Sequence, residues 1–89
     1  MQLLTIRLNE VKFGIPIEAV QSIEERMQTV SVPHSLPYIK GIMNLHGDII
    51  PVYSLAERFG YLEQEISNIV VTNVNNTLIG FEVNRVEEI

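Results

Sequence analysis

The side chains that could perform chemistry are few in this 89-residue chain. It contains two histidines, His34 and His46, a single aspartate, Asp48, and no cysteine. Covalent catalysis needs a nucleophile, a base and an orienting group within reach of each other. His34 precedes Ser35 in a segment bounded by prolines, but adjacency in the sequence does not make a productive pair. We therefore interpret His34 as a loop residue and predict no catalytic residue in the chain.

The patterns that hold metals and phosphates are also missing. A zinc site needs three or four ligands in close arrangement, and the two histidines with Asp48 are weak evidence for one. The neighbouring carboxylates of Glu24 and Glu25 would point to opposite faces of a strand, as would those of Glu87 and Glu88. The five glycines are dispersed, so they form no phosphate-binding loop. The sequence thus predicts a protein that is not an enzyme and uses no cofactor or metal.

Charge and hydropathy narrow the classes of partner. The formal net charge is −5, and nucleic-acid binding and anionic membranes both favour cations. The six aromatic residues are not interleaved with basic residues, as a single-stranded nucleic-acid groove requires. The first residues do not resemble a signal peptide, and no uncharged apolar run approaches the roughly 18–20 residues of a membrane span. We expect a globular, cytoplasmic protein that binds other proteins.

The elements that must position the remaining candidates are mostly strands. Apolar and polar residues alternate over residues 4–8 and 11–15, which predicts a hairpin. Pro16 ends the second strand and begins a short helical turn. Residues 20–27 fit either a strand or a short helix, and the pattern does not decide between them.

Residues 38–53 are the most informative stretch. They predict a hairpin with Gly47-Asp48 at its turn, followed by a short helix that Ser54 caps and Gly60 ends. Apolar residues occupy both faces of this hairpin, which is typical of strands that are buried on two sides. One face belongs to the core. The other is either a docking surface or a second internal contact, and the sequence leaves both readings open.

The C-terminal third continues the pattern. Residues 66–74 and 78–83 predict another hairpin around Asn75-Asn76, and residues 86–89 resemble the start of a further strand. There is no repeat, linker or low-complexity segment, so we expect one domain over residues 1–89. The fold class predicted is all-β, mainly antiparallel, built as a small barrel or sandwich with one or two short helices.

Several of these segments resemble, in order, the CheW family of bacterial chemotaxis coupling proteins. The central run is the most specific, because Gly47-Asp48-Ile49-Ile50-Pro51-Val52-Tyr53-Ser54-Leu55 matches a G-x-I-I-P-V-x-x-L hairpin. The segment from Pro37 to Leu45 resembles P-x-x-x-x-G-x-x-N-L. The opening Phe13-Gly14-Ile15 step and the final Gly80 to Val86 strand agree less specifically. The resemblance covers essentially the whole chain.

The resemblance implies two SH3-like barrels, of which the second is largely complete here and the first incomplete. It also implies a signalling adaptor of a two-component system, which binds the regulatory domain of a CheA-type histidine kinase and the cytoplasmic tip of a chemoreceptor. For the protein-binding residues we select those around the central hairpin. They are Lys40, Ile42, Asn44, His46, Asp48 and Ile50.

Three departures from the family pattern bear on this interpretation. His46 stands where the family motif N-L-R-G has arginine, so a forked cation becomes a smaller group that is mostly neutral at pH 7. Asn84 stands in place of the usual aspartate. Family domains also continue beyond the position that matches Ile89, which predicts that strands partnering residues 4–8 and 11–15 are missing. We therefore expect self-association, with strand exchange between two chains as one route.

Two alternatives to the adaptor remain at this stage. The first is a small barrel that binds a ligand or a nucleic acid, which the charge pattern does not favour. The second is a truncated remnant that has lost its partner. His46 itself has two interpretations, as a recognition residue or as a residue that merely flanks the turn.

Overall fold

Eight strands form two sheets in the computed structural model, which describes residues 2–25, 29–31, 39–58, 60 and 66–88. The strands are β1 (Leu3–Leu8), β2 (Val11–Pro16), β3 (Val20–Glu25), β4 (Ile39–Leu45), β5 (Asp48–Ser54), β6 (Asn68–Val74), β7 (Thr77–Val83) and β8 (Arg85–Glu88). One sheet has the order β2-β1-β8 and the other the order β3-β6-β7-β5-β4. All neighbouring strands are antiparallel except β5 and β7, which are parallel. The predicted all-β, mainly antiparallel class is confirmed.

Positive backbone φ angles mark the hairpin turns. Asn75 and Asn76 have φ of 53° and 64°, so the predicted turn between β6 and β7 is confirmed. The turn between β4 and β5 lies one residue earlier than predicted, at His46 and Gly47, with φ of 52° and 90°. A two-residue loop of this kind needs positive φ at both central residues, and histidine tolerates that region better than most side chains. Asp48 therefore opens β5.

The ambiguous segment is a strand, and the two helical segments are short. Residues 20–25 form a strand because they pair with β6, a contact that the local pattern could not reveal. A 3-10 turn at Ile17–Ala19 follows Pro16, and α1 (Leu55–Arg58) follows Ser54, as predicted. No helix in the described ranges is both long and apolar enough to cross a membrane. The proline-bounded loop with His34 and the predicted helix end at Phe59 lie outside the described residues.

The core has two parts that share β6. Ile69 and Val71 pack with buried side chains of β4 and β5 inside the five-stranded sheet. Val70, between them, points the opposite way and packs against Leu4, Ile6 and Leu8 of the three-stranded sheet. Because successive strand residues alternate between faces, β6 is buried on both sides and joins the two sheets. This double burial explains the uninterrupted apolar run at residues 69–71.

The strand β1 is central rather than unpaired. The prediction that its partner strands are missing was wrong for β1, since β8 pairs with it on the side opposite β2. Glu87 of β8 reinforces this pairing, because its carboxylate contacts Arg7 of β1 at 2.5 Å and Lys12 of β2 at 3.5 Å. The hydrogen bond from Arg7 is the main reason that the pKa of Glu87 lies below its usual range.

Candidate docking surface

The β4–β5 hairpin has one inner and one outer face. Met43 pairs with Ile50, and these side chains are only 3% and 1% exposed. Asn44 pairs with Ile49, which is 62% exposed. Directly paired residues share a face, so Ile49 lies on the outer face and Ile50 in the core. Ile50, which the sequence analysis selected as a protein-binding residue, is therefore a core residue on the inner face.

Gly41 brings a further chain segment onto the outer face. Val30 and Ile42 exchange two backbone hydrogen bonds, of 2.9 and 3.0 Å, which places residues 29–31 along the edge of β4. A Cβ atom on Gly41 would lie 2.2 Å from the carbonyl oxygen of Val30, and the φ of Gly41 is +146°. Only glycine permits both the close approach and this φ. The glycine of the central motif therefore places the 67% exposed Val30 beside Ile42.

An apolar groove results on the outer face. Its volume is about 370 Å³, and its described lining consists of Val30, Ile42, Met43, Asn44 and Ile49. Asn44 supplies the polar side chain, and its Oδ1 accepts a hydrogen bond of 3.1 Å from the N–H of Gly47. This bond holds the turn of the hairpin while the groove stays predominantly apolar. We call these five residues the outer groove.

A second concavity of about 120 Å³ lies at the end of the five-stranded sheet. It has an apolar floor and a polar rim, and we call it the barrel-end pocket. The floor consists of Leu45, Ile50, Val71 and Leu78. The rim consists of Gln21, Ser22, Glu24, His46 and Asp48.

The rim contains the three residue types of a hydrolytic triad without its geometry. A triad needs a hydrogen bond from serine to histidine and another from histidine to the carboxylate. No hydrogen bond joins Ser22, His46 and Asp48 in the described part of the chain. Within the same ranges no three His, Cys, Asp or Glu side chains are grouped as metal ligands. Ser22, His46 and Asp48 therefore do not form a triad in this structure.

The six residues selected from the sequence divide between these two concavities. Ile42 and Asn44 line the outer groove, whereas His46, Asp48 and Ile50 line the barrel-end pocket. Lys40 is half-buried on β4 and lines neither.

The sequence reasoning missed several lining residues. Ile49 was identifiable in principle, because it alternates with Ile50 and faces the polar Asn44 across the hairpin. Val30, Ser22 and Glu24 gave no such signal, since long-range pairing brings them to these sites.

Comparison with known proteins agrees with this architecture. Residues 2–89 match the CheW-like domain. This chain belongs to the CheW-like domain family. The chemotaxis protein CheW of Thermotoga maritima is 30% identical over 87 residues, which cover 96% of this chain and 58% of that protein. The Treponema pallidum CheW is also 30% identical, and its aligned part covers 99% of this chain and 56% of that protein.

A solved structure shows the same fold. The scaffolding protein CheW of Thermoanaerobacter tengcongensis superposes with a TM-score of 0.91 at 29% identity, over 97% of this chain and 61% of that one. This CheW-like domain thus spans less than two thirds of the length of the relatives that it matches.

The two sequence departures differ in their structural consequence. The Asn84 side-chain oxygen accepts a 2.6 Å hydrogen bond from the N–H of Asn9, and its own N–H donates to the carbonyl of Arg7 at 3.1 Å. An amide oxygen can accept this bond as a carboxylate oxygen would. Asn84 therefore connects the junction between β7 and β8 to the first hairpin through hydrogen bonds. His46, in contrast, lies at the rim of the barrel-end pocket of this CheW-like domain.

Proposed function

We propose that this chain is a non-enzymatic adaptor of chemotaxis signalling. It acts in the cytoplasm and couples the regulatory domain of a CheA-type histidine kinase to the cytoplasmic tip of a chemoreceptor. The family membership supports the pathway, and the outer groove supports docking of a protein. A domain of this kind needs no catalytic group, because its contribution is to hold two partners at a fixed distance.

The outer groove is the observation that carries the proposal. Ile49 and Val30 are 62% and 67% exposed, and they lie together with Ile42 around a concave surface. Exposed apolar side chains that are grouped, rather than scattered, mark protein interaction sites. Depletion of charge at the centre of a patch is also typical of interfaces, and the described lining of the groove contains no charged residue.

Ile49 is the residue that we expect to anchor the partner. It is exposed, it lines the groove, and it belongs to a strand whose inner face packs in the core. Few interface residues carry most of the binding energy, and those that do lie near the centre. Lys40 is on the same strand as Ile42 but does not line the groove, so it is expected to affect the association rate and its salt dependence more than the affinity.

Titration calorimetry with the regulatory domain of a chemotaxis-type histidine kinase tests this assignment. We expect Ile49→Glu to weaken binding by about tenfold or more, because a charge would be buried in an apolar contact. Val74→Glu is the matched control, since Val74 is 52% exposed and does not line the groove. Equal affinity of the two variants would refute the groove as the docking site. A wild-type chain that binds neither kinase domain nor receptor tip would instead favour a remnant without partners.

We propose in addition that copies of the chain associate through the three-stranded sheet. The outer edges of β2 and β8 have no strand beside them in the described part of the chain. Unpaired strand edges are templates for pairing with another chain, either edge to edge or by strand exchange. Light scattering should give a mass of at least twice 10.1 kDa, and a monodisperse monomer would contradict this.

A further inference from the structure

We infer that the barrel-end pocket receives a basic side chain, with arginine as the best fit, from a protein partner. This inference rests on the proposed role as an adaptor and adds the chemistry of a second contact. It concerns a different surface from the outer groove, since the described linings of the two concavities have no residue in common.

The floor of the pocket suits the aliphatic stem of a long basic side chain. Leu45, Ile50, Val71 and Leu78 line it, and they belong to β4, β5, β6 and β7 respectively. Arginine and lysine bury their methylene groups against apolar surface while the charged head contacts polar atoms. Leu45 and Leu78 are half-buried and supply the accessible apolar surface, whereas Ile50 and Val71 are core residues, 1% and 0% exposed, that support it from within.

Two carboxylates on the described rim of the pocket supply negative charge. The carboxylates of Glu24 and Asp48 both line the pocket, and neither forms an ion pair or a hydrogen bond in the described ranges. Arg7, Lys12 and Arg85 form their ion pairs with Glu87, which lies on the other sheet. A negatively charged rim repels anionic groups and attracts cations.

A buried hydroxyl is the second, independent indication of a ligand. Ser22 is one of the residues that line this pocket, and its Oγ atom is buried without a hydrogen-bond partner. Leaving a buried polar atom unsatisfied costs about 1–3 kcal/mol, so such an atom calls for an explanation. The head group of an arginine has five N–H donors, so it can bond to Ser22 and to a carboxylate at the same time.

The side chain at position 46 offers a test of this assignment, because His46 lines the rim of the pocket. An arginine at this position would place a cation of the chain itself beside the acidic rim, where it would compete with one supplied by a partner.

An NMR titration of the ¹⁵N-labelled full chain tests the inference without any protein partner. The probes are N-acetyl-L-arginine amide and N-acetyl-L-citrulline amide, which have nearly the same shape but differ in charge. We expect the arginine probe to bind about fivefold or more tightly at low salt, with shift changes at the pocket residues. Glu24→Gln and Asp48→Asn should each weaken the arginine probe by about two- to fivefold.

Two further variants control this experiment. Glu18→Gln removes the same charge from an exposed position in the 3-10 turn that does not line the pocket, so it should bind like the wild type. His46→Arg should weaken binding of the arginine probe, because it places a cation of the chain itself at the rim. Equal affinity of the two probes for the wild type would overturn the inference, whether or not the variants fold.

The result of the probe titration can be interpreted separately from the result of the kinase-binding experiment. Ile49→Glu changes the outer groove and should leave probe binding unaltered. A chain that binds the arginine probe but no kinase domain would refute the outer-groove proposal alone. A chain that binds the kinase domain but does not distinguish arginine from citrulline would refute the pocket inference alone.

Discussion

Ile49 and Ile50 provide a matched pair for testing the face assignment on which both binding sites depend. They are adjacent, identical in type and part of the same strand, yet they are 62% and 1% exposed. We expect Ile50→Ala to destabilise the fold strongly and Ile49→Ala to leave it nearly unchanged. Replacement by alanine removes the same atoms in both cases, so a difference between the variants reports the environment of each side chain.

The magnitude follows from burial. Truncating a fully buried isoleucine to alanine costs about 2–5 kcal/mol, since both transfer energy and a cavity contribute. A substitution on the exposed face changes stability by about 0.5 kcal/mol or less. A domain of this size has a total unfolding free energy of about 4–13 kcal/mol, so the loss at Ile50 is a large fraction of it.

Urea denaturation followed by circular dichroism measures this difference. With an m-value of about 1.5 kcal/mol/M, a loss of about 3 kcal/mol lowers the midpoint by about 2 M. The midpoint for Ile49→Ala should lie within about 0.3 M of the wild type. Similar shifts for both variants, or a larger shift for Ile49→Ala, would show that the inner and outer faces of the hairpin are exchanged. The outer groove would then no longer be a surface.

Three other expectations concern residues that hold the sites in place. Gly41→Ala should lower the free energy of unfolding by about 2 kcal/mol or more, because the added Cβ would lie 2.2 Å from the Val30 carbonyl oxygen. Hydrogen exchange measures the effect, since the Ile42 amide should lose its protection when its bond to Val30 is broken. Asn84→Ala should cost about 1–2 kcal/mol in urea denaturation, since it removes the acceptor for the Asn9 N–H, whereas Asn84→Asp should stay near the wild type. The lowered pKa of Glu87 means that its charge stabilises the fold above the ordinary glutamate pKa, and that this contribution is lost as the pH falls through the lowered value. The urea midpoints of the wild type and Glu87→Gln should therefore differ at pH 7 and converge in acid. A difference that does not change with pH would show that the charge of Glu87 does not stabilise the fold.

Local sequence patterns were sufficient for the hairpins. Alternation of apolar and polar residues identified β1 and β2, and Asn75-Asn76 located the turn between β6 and β7. These features depend on neighbouring residues alone, since side chains alternate along a strand and a tight turn demands particular backbone angles. The one local error, a shift of the β4–β5 turn by one residue, arose because histidine was not expected at positive φ.

The candidate sites were less predictable than the strands. Apolar residues occupy both faces of β4 and β5, so alternation could not show which face is buried, and it did not reveal that Ile50 lies in the core. The choice is made by β6 and β7, whose side chains pack with Met43 and Ile50 on one face only. Both Val30 and Ser22 reach their sites through pairing with strands that are distant in the sequence.

The sequence by itself determined the all-β class, the approximate strands and the resemblance to the CheW family, because each depends on short runs of residues and their spacing. Tertiary structure alone decided the parallel pairing of β5 with β7, the place of β1 between β2 and β8, and the separation of the outer groove from the barrel-end pocket. The physical reason is that a strand pattern states which residues share a face, but not which other strand will cover that face. That choice depends on the total apolar surface buried when all eight strands pack together, and no single segment contains this information.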